Sequence, residues 1–191
     1  MRRPNDFYPT PAQLTKELLK RVVISGTVFE CCAGDGAIAK ELKATHLNSL
    51  RKSKIKKVFT NDIVEHNCDC DFQENATFPE NWKDNNWQYD WVITNPPFTR
   101  APDIIPLAWD NCHVGIAMLL RLTYLEPAGN RGEWLQENSK YLTDLIIFGQ
   151  PRPSFTENGS TDHCTTAWFI WQKAPSIQSG TKLHFVYDWK K

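Results

Sequence analysis

The sequence predicts an α/β fold, a doubly wound sheet of seven strands forming one domain over residues 1–191, and three observations carry that expectation. An apolar run from Val22 to Phe29 leads into the turn Glu30-Cys31-Cys32-Ala33-Gly34-Asp35-Gly36 and then a helical stretch from Ala37 to about Lys43, which is strand, glycine turn and helix in succession. Further short apolar runs recur along the chain at strand length, separated by polar stretches. With 191 residues, 41% hydrophobic and 12% aromatic, the chain can bury one sizeable core and leaves no room for a second large domain.

Taken in order, the elements begin with a helix near Pro11 to Lys20, with Thr10 suited to its cap and Pro11 to its first helical position. The strand at 22–29 and the helix after it follow, and the next strand, Lys56 to Thr60, ends at Asn61-Asp62. A short strand is weighed around 69–73. Strands at 89–94, 114–120, 142–148 and 164–171 come next, with a last one at 182–187. The segments 62–88 and 121–141 are polar and between them contain Pro, Gly and Asn, so they read mostly as excursions and lids. Repeats and low-complexity tracts are absent.

Chemistry concentrates where strands end. Asn95-Pro96-Pro97-Phe98 closes the run Trp91, Val92, Ile93 and places an amide, a backbone carbonyl beside two prolines and an aromatic ring around one small space, suited to a planar base bearing an amino group. The lone pair of such a nitrogen is delocalised into the ring. The Asn95 side-chain oxygen and the Pro96 carbonyl can accept its two hydrogens and favour a pyramidal, attacking nitrogen, while Phe98 stacks on the ring. Upstream, Gly34 and Gly36 let backbone approach a ligand closely, Glu30 can engage an amine or hydroxyl, and Asp62 stands where a ribose hydroxyl pair would be held. No Gly-Lys-Ser or Gly-Lys-Thr phosphate loop is present.

These motifs, in this order, resemble the class I S-adenosylmethionine-dependent methyltransferases, and among them small phage and prophage DNA N6-adenine methyltransferases. The resemblance covers nearly the whole chain. It implies a mostly parallel Rossmann-like methyltransferase sheet with an antiparallel strand near the C-terminus, and S-adenosyl-L-methionine as cofactor. By it, Asp6-Phe7-Tyr8-Pro9-Thr10-Pro11 is similar to the segment closing over the methionine part of the ligand, so Tyr8 and Thr10 join Glu30, Cys31, Cys32, Ala33, Gly34, Gly36 and Asp62 as cofactor residues. The stretch Asp71 to Thr77 resembles the segment reading the cofactor adenine. Asn75 stands where the family usually carries Asp, its amide oxygen still able to accept from the adenine amino group. Cys32 replaces a small residue of the family's glycine loop. Asn95, Pro96, Pro97 and Phe98 resemble the target-base site, Asn95 also bordering the cofactor.

Lys and Arg together number 22, as do Asp and Glu, so no global positive field draws this chain onto DNA, and any phosphate contact must be local. The densest basic run, Arg51 to Lys57, precedes the second strand and so lies away from the ligand end of the sheet. Arg100, Arg121, Arg131 and Arg152 follow strands whose ends surround the site, and are the candidate phosphate contacts. Phe155, in the polar loop Pro151 to His163 with its Asn158-Gly159 turn, can wedge beside a base flipped from DNA. Six cysteines suggest neither zinc nor disulfides: Cys68-Asp69-Cys70 with His66 lacks a second paired-cysteine element, and free thiols in a cytoplasm, a host's if the chain is phage-encoded, are the simpler account. No apolar segment is long enough to span a membrane, and the N-terminus is no secretory signal.

The expectation is therefore methyl transfer from S-adenosylmethionine to adenine N6 in DNA, double- or single-stranded. With no separate target-recognition domain, a protein partner can supply target choice. Adenine in RNA, a protein glutamine amide, and a non-catalytic subunit of a larger methyltransferase stay open as alternatives.

Overall fold

A computed structural model describes residues 9–46, 53–64, 68–83, 89–153, 164–174 and 180–190. The order is α1 (Ala12–Arg21), β1 (Ser25–Glu30), α2 (Ala37–His46), β2 (Lys54–Thr60), α3 (Glu80–Lys83), β3 (Tyr89–Thr94), α4 (Ala101–Asp110), β4 (Cys112–Arg121), α5 (Gly129–Asn138), β5 (Leu142–Phe148), β6 (Thr166–Gln172) and β7 (Lys182–Val186). The seven strands form one sheet in the order β2-β1-β3-β4-β6-β5-β7. All neighbours run parallel except β6, which is antiparallel to both β4 and β5. The C-terminal ends of β1, β2, β3, β4, β5 and β7 thus share one rim with the start of β6.

Both faces of the sheet are covered, as a parallel sheet requires. One layer joins Leu14 and Leu18 of α1 and Ile38 and Leu42 of α2 to Val28, Ile93, Leu119, Ile146 and Trp168. The buried Trp168 indole donates to the Leu14 carbonyl at 2.8 Å, which fixes α1 against β6. The other layer sets Ile104, Ile105 and Ala108 of α4 against Val92, Ile116, Phe169 and Trp171, with Trp134 of α5 edge-on to Trp171.

The structure moves several sequence expectations. Strand β1 starts at Ser25 because the Val22 N–H still bonds back to the Leu18 carbonyl as the end of α1, and Val23 faces solvent. The short strand at 69–73 is reduced to one parallel bridge, Asn61 with Phe72, so the seventh strand is β7 at the edge. Thr10 does not cap α1: Pro11 takes that position without a side-chain bond, its carbonyl accepting from the Leu14 N–H. The stretch 121–141 is no mere lid, since it carries the ten-residue α5. Helix α4 contains Pro102 and Pro106, a composition that argues against a helix.

At the far end of β1, Gly26 sits at φ 89°, and a Cβ there would collide with the Asp90 carboxylate that accepts from the Thr27 N–H at 2.7 Å. Gly26→Ala should therefore cost about 1–3 kcal/mol of stability. Thermal unfolding checks this, and an unchanged midpoint would show that Asp90 moves freely.

Candidate functional site

The site is assembled from four consecutive strand ends on the rim. Glu30 ends β1, Asn61 and Asp62 follow β2, Asn95 follows β3 and Arg121 ends β4. Parallel neighbours about 4.8 Å apart bring these ends together although they are far apart in sequence.

The glycine loop is held from β2. The Asn61 N–H donates to the Glu30 carbonyl and the Ala33 N–H to the Asn61 carbonyl, each at 2.9 Å. The Asn61 side chain donates to the carbonyls of Cys31 and Glu74, both at 3.0 Å, and accepts from the Glu74 N–H at 2.9 Å. One buried amide thus ties the glycine loop to the segment 71–75. Sequence reasoning passed over Asn61; its signal was a polar residue closing an apolar strand. Asp62 completes the frame by accepting from the Gly34 N–H at 2.8 Å and from the Val64 N–H at 3.1 Å. Gly34 at φ 57° and Gly36 at φ 75° adopt the left-handed backbone that the turn requires. The Gly36 N–H closes the turn on the Ala33 carbonyl at 2.8 Å, and the Lys40 N–H of α2 then bonds the Gly36 carbonyl at 2.9 Å.

Glu30 is the electrostatic anomaly of this frame. It is 1% exposed, and its Oε2 has no hydrogen-bond partner. Burial pushes its carboxyl well above the usual range; the Ala39 backbone N–H opposes this, while Cys32, Asp35 and Asp62 add to it. An unpartnered acidic oxygen inside a protein is costly, and a cationic donor from a ligand would relieve it.

The Asn95 loop meets α1's leading segment. Asn95 Nδ2 donates to Thr10 Oγ1 at 3.0 Å, across 85 residues of sequence, and Thr10 is buried. With its donor nitrogen committed to Thr10, the amide has its oxygen to offer. Beneath it, Thr94 Oγ1 donates to the Cys32 carbonyl at 3.3 Å and joins the β3 end to the glycine loop. Pro96 is buried, Pro97 and Phe98 half-buried, and the N–H groups of Arg100 and Ala101 bond the Pro97 carbonyl, which starts α4.

The expected arginines and Asn75 take up different places. Arg121 lies with its guanidinium carbon 4.7 Å from the Phe98 ring centroid, a cation–π contact that fixes the ring. Arg100 is exposed and pairs with Asp103 at 3.4 Å, while Arg131 donates to the Glu126 carbonyl at 2.6 Å. Arg152 lines a separate cleft at the ends of β5 and β7, β5 lying three places along the sheet from β3. Asn75 Oδ1, expected to receive an adenine amino group, accepts from both the Thr77 N–H at 3.0 Å and Thr77 Oγ1 at 2.8 Å, so its lone pairs already hold a local turn. Tyr8 and Phe155 lie outside the described residues, as do His66 and His163.

None of the six cysteines is joined in a disulfide. The Cys31 hydrogen bond, then burial, push the Cys32 thiol up, and burial pushes Cys70 up to about 12, so both stay protonated at neutral pH and are poor nucleophiles. Among the described residues no helix is long and apolar enough to cross a membrane, and no three His, Cys, Asp or Glu side chains are grouped to hold a metal ion.

No protein-family model matches the sequence, and no curated protein matches it. Solved structures do resemble the fold. A protein assigned as the modification subunit of a type I restriction enzyme from Vibrio vulnificus YJ016 superposes with a TM-score of 0.65 at 13% identity, over 95% of this chain and 48% of that one. The methyltransferase subunit of a type I restriction-modification system from Streptococcus thermophilus gives 0.60 at 16% identity, over 88% of this chain and 45% of that one. A protein from Listeria monocytogenes assigned as a class I S-adenosylmethionine-dependent methyltransferase gives 0.56 at 8% identity, over 94% and 64%. At such identities the likeness is one of fold, and the chain spans about half the length of the first two structures.

Proposed function

We propose that this chain binds S-adenosyl-L-methionine and transfers its methyl group to the exocyclic N6 amino group of adenine in DNA. One observation carries the reading: adjacent strands β1 and β3 present, side by side, a buried carboxyl with an unpartnered oxygen at Glu30 and an amide at Asn95 whose nitrogen is already committed. The first suits a ligand ammonium, the second an amino group that must be accepted rather than donated to. The fold shared with methyltransferase structures agrees with it.

When bound, the cofactor supplies an electrophilic methyl group on a sulfonium. Glu30 Oε2 would hold the ammonium of its methionine part, with Gly34 and Gly36 allowing close backbone approach. Asp62, fastened to the Gly34 and Val64 N–H groups, would accept from the ribose hydroxyls. Asn95 Oδ1 and the Pro96 carbonyl would accept the two N6 hydrogens, which draws the nitrogen's lone pair out of the ring and stabilises the positive charge that develops there. Phe98, braced by Arg121 on one face, would hold the base by stacking on the other. The new N6–C bond would replace the S–C bond of the methyl donor, whose sulfur would leave as a neutral thioether, and one proton would then pass from the methylated nitrogen to water, so no strong base is needed.

Thr10 acts through Asn95 in this scheme. Thr10→Val should lower kcat about tenfold or more with little change in KM for DNA, while Thr10→Ser restores it, since only the hydroxyl fixes which amide atom faces the base. Equal kcat for the valine and serine variants would remove that role. The function itself is tested by incubating the protein with labelled cofactor and DNA and identifying the methylated nucleoside, with RNA and glutamine-containing protein as competing acceptors. N6-methyladenine from DNA supports the reading, and label confined to another acceptor replaces it.

A further inference from the structure

The two edges of the sheet are treated differently. Edge strand β2 carries exposed Lys54, Lys56 and Lys57, charges that discourage pairing or stacking there. At the opposite edge, Leu183, Phe185 and Tyr187 share one face of β7 and its end, with relative exposures of 56%, 64% and 72%. The upper end of this stripe is a cleft of about 200 Å³ whose lining includes Phe185 and Tyr187 together with Gln150, Arg152 and Thr165.

Tyr187 is exposed yet held. One of its ring carbons lies 2.9 Å from where a Cβ on Gly149 would stand, so the ring rests on bare glycine backbone. The Gly149 N–H bonds the Val186 carbonyl at 2.9 Å, which locks the two segments together. A ring placed in this way presents a flat surface at little further entropic cost.

We infer that Phe185 and Tyr187, with Arg152 and Gln150, form a stacking platform for bases flanking the target in an unpaired nucleic-acid strand. The position favours this occupant. From the Arg121 end of β4, the rim passes β6 and β5 to reach β7, three strand spacings or about 15 Å. That is the span of about four stacked nucleotides. Every base offers a π face to an aromatic ring whatever its sequence, and Arg152 adds a cation and Gln150 an amide beside it. A platform of this kind gives grip on a strand without base-specific contacts and without a global positive charge. It rests on the proposed DNA substrate, and it makes the preferred form single-stranded.

The test is direct binding, by fluorescence anisotropy, of a labelled oligodeoxythymidylate with one central adenine and of a labelled trinucleotide with the same adenine. The full chain should bind the long strand more tightly than the short one. Tyr187→Ala should weaken the long strand about tenfold and leave the trinucleotide unchanged, with Tyr187→Phe retaining the wild-type affinity. Gly149→Ala, which displaces the ring without removing it, should reproduce part of the loss. Identical affinities in wild type and Tyr187→Ala overturn the inference, and are the result expected if the stripe serves a protein partner instead. Equal weakening of both oligonucleotides overturns it as well. Tyr187-dependent binding without methyl transfer would keep the platform and discard the proposed reaction, so the two failures are distinguishable.

Discussion

Asn95→Ala is expected to reduce methyl transfer about 10²- to 10³-fold or more in kcat while leaving cofactor affinity within about twofold of wild type. Asn95 offers the one side-chain amide of the Asn95-Pro96-Pro97-Phe98 loop, and its nitrogen is held by Thr10, so its oxygen is the group that can accept from an amino nitrogen gaining positive charge. An acceptor used only as charge develops acts on kcat rather than on ground-state binding. The scaffold should survive, because the half-buried Asn95 makes no bond that closes the glycine loop; Asn61, Asp62 and Thr94 do that. Turnover with a methyl-acceptor oligonucleotide, alongside cofactor titration, checks both halves. Equal rates for variant and parent would remove Asn95 from the chemistry and favour a non-catalytic subunit.

Glu30→Gln is expected to act on the other component, with opposite signs in the empty and the loaded protein. Burial raises the folded-state pKa of Glu30 above its unfolded value. Above the unfolded pKa the folded state then binds more protons than the unfolded one, so this group's contribution to stability falls as pH rises through that window. Removing the ionisable group should raise the melting temperature of the empty protein at neutral pH. The same change should weaken S-adenosylmethionine binding by on the order of 2 kcal/mol or more, about thirtyfold, because the ammonium loses its charged acceptor. Wild-type affinity should also rise as pH climbs through the raised Glu30 pKa and the carboxyl gives up its proton to a ligand whose amine is still protonated, while the glutamine variant stays flat. Calorimetry in two buffers of different ionisation enthalpy reads the proton release directly. A variant that loses stability and keeps affinity would make Glu30 a structural acid.

The parts legible in the sequence are those set by short-range pattern. Strands β3 and β5 fall at the expected residues because their apolar runs are bounded by polar or proline-containing turns, and the glycine loop follows β1 as expected because Gly34 and Gly36 mark its left-handed backbone. Helix α4 was hidden by Pro106, whose lost backbone bond is tolerated because Ile104, Ile105 and Ala108 are buried against the sheet. Thr10 before Pro11 has the form of a helix cap, yet the 85-residue contact with Asn95 won its hydroxyl, a competition invisible to local reading. The arginine positions are likewise set by partners that local pattern does not show: Phe98, Asp103 and the Glu126 carbonyl decide where Arg121, Arg100 and Arg131 go. Asn75 likewise satisfies its oxygen on Thr77 two residues away.

The most direct measurement is incorporation of labelled methyl from S-adenosylmethionine into matched pools of double-stranded DNA, single-stranded DNA, RNA and protein, followed by identification of the modified nucleoside or residue. The expected product is N6-methyladenine in DNA, with more label in the single-stranded pool than in the duplex. Label in RNA or protein but not DNA, or none in any pool from a protein that binds the cofactor, would contradict that expectation.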